Sequence, residues 1–218
     1  YQGYLQTDGY AGYQSTGNRQ GISHLGCWAH VRRKFLDVVK GTKGVAKAGV
    51  AQDVINRIGK LYEVERKARE GKLNDEQVVT LRAQESRPIL DEIKAVLDHR
   101  HKTTPPRSLL GKAIAYALNQ WPRLTVYLQK GFLRPDNNSA ENAIRPFAVG
   151  RKNWLFSASP RGAEASALMF SLIETAKANN IEPNSCMTFL FTEVPKASSD
   201  DQLRALLPQY LDRDRLPK

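Results

Sequence analysis

Two carboxylates stand where divalent-metal chemistry could be done, 133 residues apart. Asp8 follows the run Tyr4-Leu5-Gln6-Thr7 and precedes Gly9. The run has the residue types of a strand end and Asp-Gly those of the turn after it. A carboxylate at a strand end can grip a cation at the edge of a sheet. The same pair also serves as an ordinary turn. Glu141 lies in Pro135-Asp136-Asn137-Asn138-Ser139-Ala140-Glu141-Asn142-Ala143-Ile144-Arg145. Asn138 can cap a helix there, with Glu141 as the reciprocal partner of a capping box. Alternatively Glu141 is a helix-borne metal ligand, with Arg145 one turn on along the same face. Arg151 and Lys152 follow. A carboxylate succeeded by cations suits a place where metal and phosphate meet.

Three further groups carry potential chemistry. Cys27 and His30 form a Cys-x-x-His pair, with His24 three residues earlier. A structural zinc site wants four ligands, and no second pair completes it. A buried thiol beside a hydrogen-bonded imidazole is the other reading. Arg32, Arg33 and Lys34 open the next helix, where they can follow a phosphate backbone or merely face solvent. No Gly-rich phosphate loop and no Gly-x-Ser-x-Gly elbow occurs.

The elements that must position these residues are mostly helical. Tyr4–Thr7 and His24–Trp28 read as short strands, with a short helix over Tyr10–Gln14 between them. Val31, Phe35 and Val38 give helical spacing over Ala29–Lys40. From Lys47 to Lys130 the pattern stays helical. Val50, Val54, Ile58 and Leu61 make one apolar stripe. A shorter piece covers Val78–Ala83. Pro88 is expected to start a helix with Ile89, Ile93 and Leu97 buried. Leu109 to Trp121 form the strongest stripe, which Pro122 should kink or restart. Gly131–Asn137 reads as a loop. Helices follow from Ser139 and over Ala163–Ala178, and a small helical appendage runs from Pro183 to the end. Two strands make no stable sheet alone, since three or more are normally needed. Either strands upstream of Tyr1 complete the sheet, which is the favoured reading, or the protein is all-α. The lack of an initiator Met fits a piece of a longer protein.

The chain has 218 residues, 41% of them hydrophobic, enough for one sizeable core. No apolar run approaches the ~20 residues that cross a membrane, and no signal-peptide pattern opens the chain. Cys27 and Cys186 give no disulfide framework, which fits a reducing cytoplasm. The formal charge is +11, which suggests a polyanionic partner or a solubilising surface. Seven Lys/Arg against one acid lie between Arg19 and Lys47, and seven against none between Arg100 and Arg134. Four more, again without an acid, lie between Asn142 and Gly162. The positive charge therefore flanks Asp8 and Glu141.

Five ordered blocks resemble the insertion sequence sixty-six transposases. Leu5-Gln6-Thr7-Asp8-Gly9-Tyr10-Ala11-Gly12-Tyr13 resembles that family's second-aspartate motif. Gly26 to Phe35 is similar to the segment that follows it. Gly111 to Trp121 resembles the family's helical region. Asp136 to Pro146, running on through Gly150 to Phe156, resembles its glutamate motif. Ser171 to Lys177 resembles the start of its C-terminal segment.

The resemblance implies an α/β, RNase H-like DDE core, incomplete at the N-terminus, with a large all-α insertion and mainly helical overall. It implies a catalytic core over 1–178 and a small helical segment over 179–218. Within the core, 1–40 holds the second-Asp strand, 41–134 the insertion and 135–178 the Glu helix and final core helix. Asp8 and Glu141 map to the second and third metal-binding carboxylates, and the first would precede Tyr1. Two Mg²⁺ or Mn²⁺ ions are implied in the complete site. Implied partners are transposon-end and target DNA, further copies of the protein in a synaptic complex, and accessory proteins of the same element, in the cytoplasm at the nucleoid. Arg145, Arg151 and Lys152 are the first candidates for phosphate contacts, then Arg32, Arg33 and Lys34. Cys27 and His30 resemble a supporting signature. The fragment alone is expected to be inactive. Another RNase H-like nuclease, or a non-catalytic basic DNA-binding or assembly module, are the competing readings.

Overall fold

A computed structural model describes residues 1–41, 49–154, 157 and 159–216, with the side chains of 151–154 outside the description. It forms two compact units, Tyr1–Asn138 and Ser139–Lys218.

The first unit opens with two strands, β1 (Gly3–Gln6) and β2 (Ile22–Leu25). They pair in parallel, Gly3 against Ile22 and Gln6 against Leu25. A parallel pair needs a crossover. Here a 3₁₀ turn (Ala11–Tyr13) and one turn of helix, α1 (Gln14–Gly17), provide it. The second strand starts and stops earlier than the sequence suggests. It ends at Leu25, and Trp28 begins α2 (Trp28–Gly41).

Helix α2 buries Trp28, Val31, Phe35 and Val38, one face at helical spacing. Helix α3 (Val50–Glu70) buries Val54, Ile58 and Leu61 along its stripe. Asn74 and Gln77 form a capping box at the start of α4 (Asp75–Leu81). A π turn (Arg82–Ser86) then leads without a break into α5 (Arg87–Thr103). Pro88 sits in the first turn of α5, as expected, although the helix follows the π turn directly and not a loop. It lacks the N–H that the preceding turn would use, and the wider π turn before it absorbs that loss. The buried set on α5 is Leu90, Ile93 and Leu97, with Leu90 in place of Ile89. The Ser108 hydroxyl accepts from Gly111 N and caps α6 (Leu109–Leu124). This helix runs through Pro122 to Leu124, so the proline neither ends nor restarts it. Pro122 lies in the last turn, where it removes one ladder donor, its own N–H toward residue 118.

Helix α2 packs against α3 and α6, and α5 packs against α3 and α6. A single apolar cluster runs from Leu25 on β2 through Trp28, Phe35, Ile58, Ile93, Ile114 and Leu124. Trp28 is fully buried, meets Trp121 edge-on at 5.7 Å, and donates its indole N–H to Leu124 O at 2.9 Å. Among the described residues the two short strands pack on the helices of this unit, with Leu25 entering their core.

The second unit begins with α7 (Asn138–Trp154) and continues with α8 (Pro160–Ala178), capped by Ser159. Phe147 and Phe170 meet edge-on at 5.3 Å. Next come α9 (Pro183–Glu193) and α10 (Asp200–Ala205). Ala176, Ile181, Cys186, Phe189, Leu190, Leu206 and Leu211 form a separate small core. The helical character expected from Ser139 to the end is observed. Among the described residues no helix is long and apolar enough to cross a membrane.

Candidate functional site

The Asp8 turn is held from four sides. Thr7 N donates to Leu25 O at 3.1 Å, one residue past the end of β1. The buried Thr7 hydroxyl shares a 2.8 Å hydrogen bond with His24 Nε2 on β2. Tyr10 N donates to Asp8 Oδ1 at 2.9 Å, closing an Asx turn. The Tyr116 hydroxyl on α6 donates to the Asp8 carbonyl at 2.6 Å. Gly9 has φ +86°, a region that side chains rarely enter. A Cβ there would stand 2.9 Å from the Tyr116 hydroxyl and 3.1 Å from the Gln120 amide. Glycine follows Asp8 because α6 leaves room for nothing larger. Burial lowers the pKa of His24, and the Arg123 charge adds to that.

The loop leading to α7 is tied to the same strand end. Gln6 Nε2 donates to Arg134 O at 2.8 Å and to Gly26 O at 3.3 Å. Trp28 N donates to Pro135 O at 2.9 Å. The Cys27 sulfur lies near the backbone N–H groups of Asn137, His30 and Ala29, which favour its charged form. Burial nevertheless pushes the Cys27 thiol up, with the Asp136 charge adding. Cys27 therefore behaves as a protonated, buried thiol that joins the start of α2 to the loop before Glu141. Arg33 donates to His30 Nε2 at 3.1 Å, which makes that nitrogen an acceptor. Tyr62 on α3 lies beside Asp136, and burial with that charge raises its phenol far above the ordinary range.

Arg82 anchors this loop from below. Its Nε and Nη2 donate to the Glu65 carboxylate at 2.8 and 2.6 Å. Its remaining donors reach the carbonyls of Tyr127, Lys130 and Leu133 at 2.7–2.8 Å. All five guanidinium N–H groups are thus used, in a residue only 1% exposed.

Among the sequence-predicted residues, Asp8 and the basic run on α2 share Tyr116 as a neighbour. Lys34 Nζ lies 5.7 Å from the centroid of the Tyr116 ring, and the Arg33 charge also reaches that phenol. Arg32 and Arg33 are exposed and line a cavity of about 450 Å³ with Tyr62 and Asn138. Glu141 is half-buried in the first turn of α7 and Arg145 is exposed one turn on. Asp8 belongs to the first unit and Glu141 to the second. The side chains of Arg151 and Lys152 lie outside the described residues, as do Leu155 and Phe156.

A hard divalent cation takes carboxylate oxygens. Asp8 and Glu141 are of that kind, and both keep partial exposure. Among the described residues no cluster of three or more His, Cys, Asp or Glu side chains stands together. The donor type fits such a cation, and the set is short of a third carboxylate.

Thr7, Tyr116, Gln120 and Arg82 were not singled out by residue type, and His24, noted beside Cys27 and His30, instead bonds the Thr7 hydroxyl. Tyr116 carried a signal: it is a polar-tipped residue just off the apolar stripe of α6. Arg82 carried none, because its five acceptors come from residues 17–51 positions away.

Comparison with known proteins joins these features. The model of the family described as "Transposase IS66 family" matches residues 1–165, and the "IS66 C-terminal element" matches residues 171–209. Relatives in Sinorhizobium fredii include the uncharacterized protein y4jD, 32% identical over 99% of this chain and 42% of its own length. The uncharacterized protein y4qI is also 32% identical, over 99% of this chain and 40% of its own length. The uncharacterized protein y4hP is 30% identical over 89% of this chain and 37% of its own length. The chain thus spans about two fifths of the length of these relatives. No solved structure matches. The first match carries the Asp8 turn, the helical block and the loop into α7, and the second carries the small helical core beyond α8. Together they cover nearly all of the sequence, and the chain belongs to the IS66 family of transposases.

Proposed function

We propose that this chain supplies two of the three carboxylates of a DDE transposase core, Asp8 and Glu141, within an RNase H-like fold. The observation that carries the reading is the Asp8 turn. A carboxylate stands directly after one of two parallel strands, in a turn held by four neighbours. The hydrogen bonds from Gln6 and Trp28 to the loop before α7 support it. They tie the lead-in to Glu141 to the strand end that bears Asp8.

In this reading the activity is cleavage of phosphodiesters at the ends of an insertion sequence, followed by strand transfer. Mg²⁺ or Mn²⁺ ions, two in the complete site, would supply an activated water or 3′-hydroxyl and offset charge on the leaving oxygen. Asp8 and Glu141 would hold them, with the third carboxylate contributed from outside this sequence. Arg145, Arg151 and Lys152, then Arg32, Arg33 and Lys34, would contact DNA phosphates, which positions a strand without reading its bases. The helical block 41–134 is an insertion between the two carboxylates. Cys27 and His30 support the loop into α7. The partners are transposon-end and target DNA, further copies of the protein, and accessory proteins of the element, at the nucleoid in the cytoplasm.

The test is Mg²⁺-dependent nicking of transposon-end DNA by the longest open reading frame that contains this chain. Asp8→Asn and Glu141→Gln are each expected to lower the rate by more than about 100-fold, the most that loss of an outer-sphere partner of a metal site costs. Undiminished nicking by either variant removes that residue from the metal site. Cleavage without joining of ends would instead identify a nuclease of related fold. Salt-sensitive DNA binding with no nicking in any variant would identify a binding module.

A further inference from the structure

We propose that Tyr116 is a positioning residue for Asp8, so that the helical block acts on the metal site through its last helix. The proposal rests on the reading of Asp8 as a cation ligand.

Strand pairing cannot aim Asp8 by itself. The ladder between β1 and β2 ends at Gln6–Leu25, and Thr7 N adds one more bond to Leu25 O. Beyond Thr7 the placement of residue 8 depends on how the peptide between residues 8 and 9 is anchored. Gly9 gives that peptide unusual freedom, since glycine occupies positive φ without penalty. The Tyr116 hydroxyl removes the freedom by donating to the Asp8 carbonyl at 2.6 Å. On the other side of the turn, Tyr10 N engages Asp8 Oδ1. The two contacts fix the peptide and one carboxylate oxygen together.

Tyr116 is itself well held. Helix α6 packs on α2, and Lys34 sits over the phenol ring. Gln120, one turn on, is 8% exposed and packs its amide against Gly9. Its Oε1 has no partner among the described residues. One face of α6 thus presents two polar side chains to the Asp8–Gly9 peptide, while its apolar face fills the core. This joins two sequence blocks that are separate in the chain, Leu5–Tyr13 and Gly111–Trp121.

Tyr116→Phe separates positioning from packing. It keeps the ring and the Lys34 contact and removes one hydroxyl. The experiment uses the longest open reading frame containing this chain and follows Mn²⁺ binding by electron paramagnetic resonance, without DNA. Thermal unfolding is measured on the same samples. The expected result is a Mn²⁺ dissociation constant about 10-fold higher, as for loss of an outer-sphere partner, at an unchanged melting temperature. Asp8→Asn is expected to abolish the site, and Tyr127→Phe, which removes a buried hydroxyl elsewhere, to leave it unchanged. Wild-type Mn²⁺ affinity in Tyr116→Phe, with Asp8→Asn abolishing the site, overturns the role of Tyr116 and leaves the metal reading intact. Wild-type affinity in Asp8→Asn overturns both. A loss of Mn²⁺ binding that only follows the unfolded fraction also overturns the proposal, in favour of a structural role.

Discussion

At the scale of single residues, the Asp8 turn shows how a small polar set can be over-determined. The Thr7–His24 pair, Tyr10 and Tyr116 each contribute one hydrogen bond, and Gly9 admits the close approach of Tyr116. His24 makes the arrangement sensitive to acid. Its pKa is lowered in the folded protein, chiefly by burial. The unfolded chain binds the proton from about pH 6.5 downward, and the folded chain only at lower pH. The unfolded state then holds more protons, so stability falls as pH falls through that window. Above about pH 6.5 both states are neutral at this group and its contribution is constant. Urea unfolding of this chain between pH 7.5 and 5 is expected to show the loss. His24→Gln is expected to flatten the part of the curve that begins near pH 6.5. An unaltered pH profile in that variant would place the acid sensitivity elsewhere.

At the scale of elements, the π turn between α4 and α5 has a consequence well beyond Pro88. It carries Arg82, whose guanidinium bonds Glu65 on α3 and three carbonyls between Tyr127 and Leu133. Those carbonyls belong to the segment that continues into the loop before α7. Arg82→Ala would leave a largely buried Glu65 and three carbonyls without their partner. Breaking a buried pair from one side costs about 3–5 kcal/mol. Denaturant titration of the variant is expected to show a loss of that order. Arg82→Lys is expected to recover only part of it, because an ammonium cannot reproduce the planar fork. A loss below about 1 kcal/mol for Arg82→Ala would mean that water replaces the guanidinium at little cost.

At the scale of the molecule, charge is unevenly spread. The run Arg32-Arg33-Lys34 is exposed on α2, on the helix that also contacts the Tyr116 ring. The stretch from Asp53 to Asp98 carries ten acids against nine bases, and there acidic and basic side chains pair with one another. Examples are Arg57 with Asp53, Lys67 with Glu85 and Lys94 with Asp98. Exposed pairs of this kind contribute little stability. Their effect is to leave this part of the surface neutral. Binding to nonspecific duplex DNA is therefore expected to weaken steeply with salt. The double variant Arg32→Ala, Arg33→Ala is expected to reduce the logarithmic salt slope by about 2, one for each phosphate that is no longer neutralised. Fluorescence anisotropy over a range of salt concentrations measures this. An identical slope would move the DNA path off α2.

Local information sufficed wherever the physics was local. The apolar faces of α2, α3 and α6 follow from periodicity, because a 3.6-residue repeat of apolar side chains has one stable use, and the strand before Asp8 follows from its residue types and the Asp-Gly turn after it. Asp8 and Glu141 were named as candidates from motif and residue type, and the structure adds the turn that holds Asp8. Tertiary structure decided the rest. Trp28 belongs to a helix because its ring reaches Trp121 and Leu124, about ninety residues later. Pro88 and Pro122 lie within continuous helical runs, Pro88 directly after the π turn and Pro122 in the last turn of α6. Tyr116 meets Asp8 across 108 residues of sequence. No local pattern encodes such a meeting, since it exists only once α6 has docked on α2 and its off-stripe positions have been turned toward the strand end.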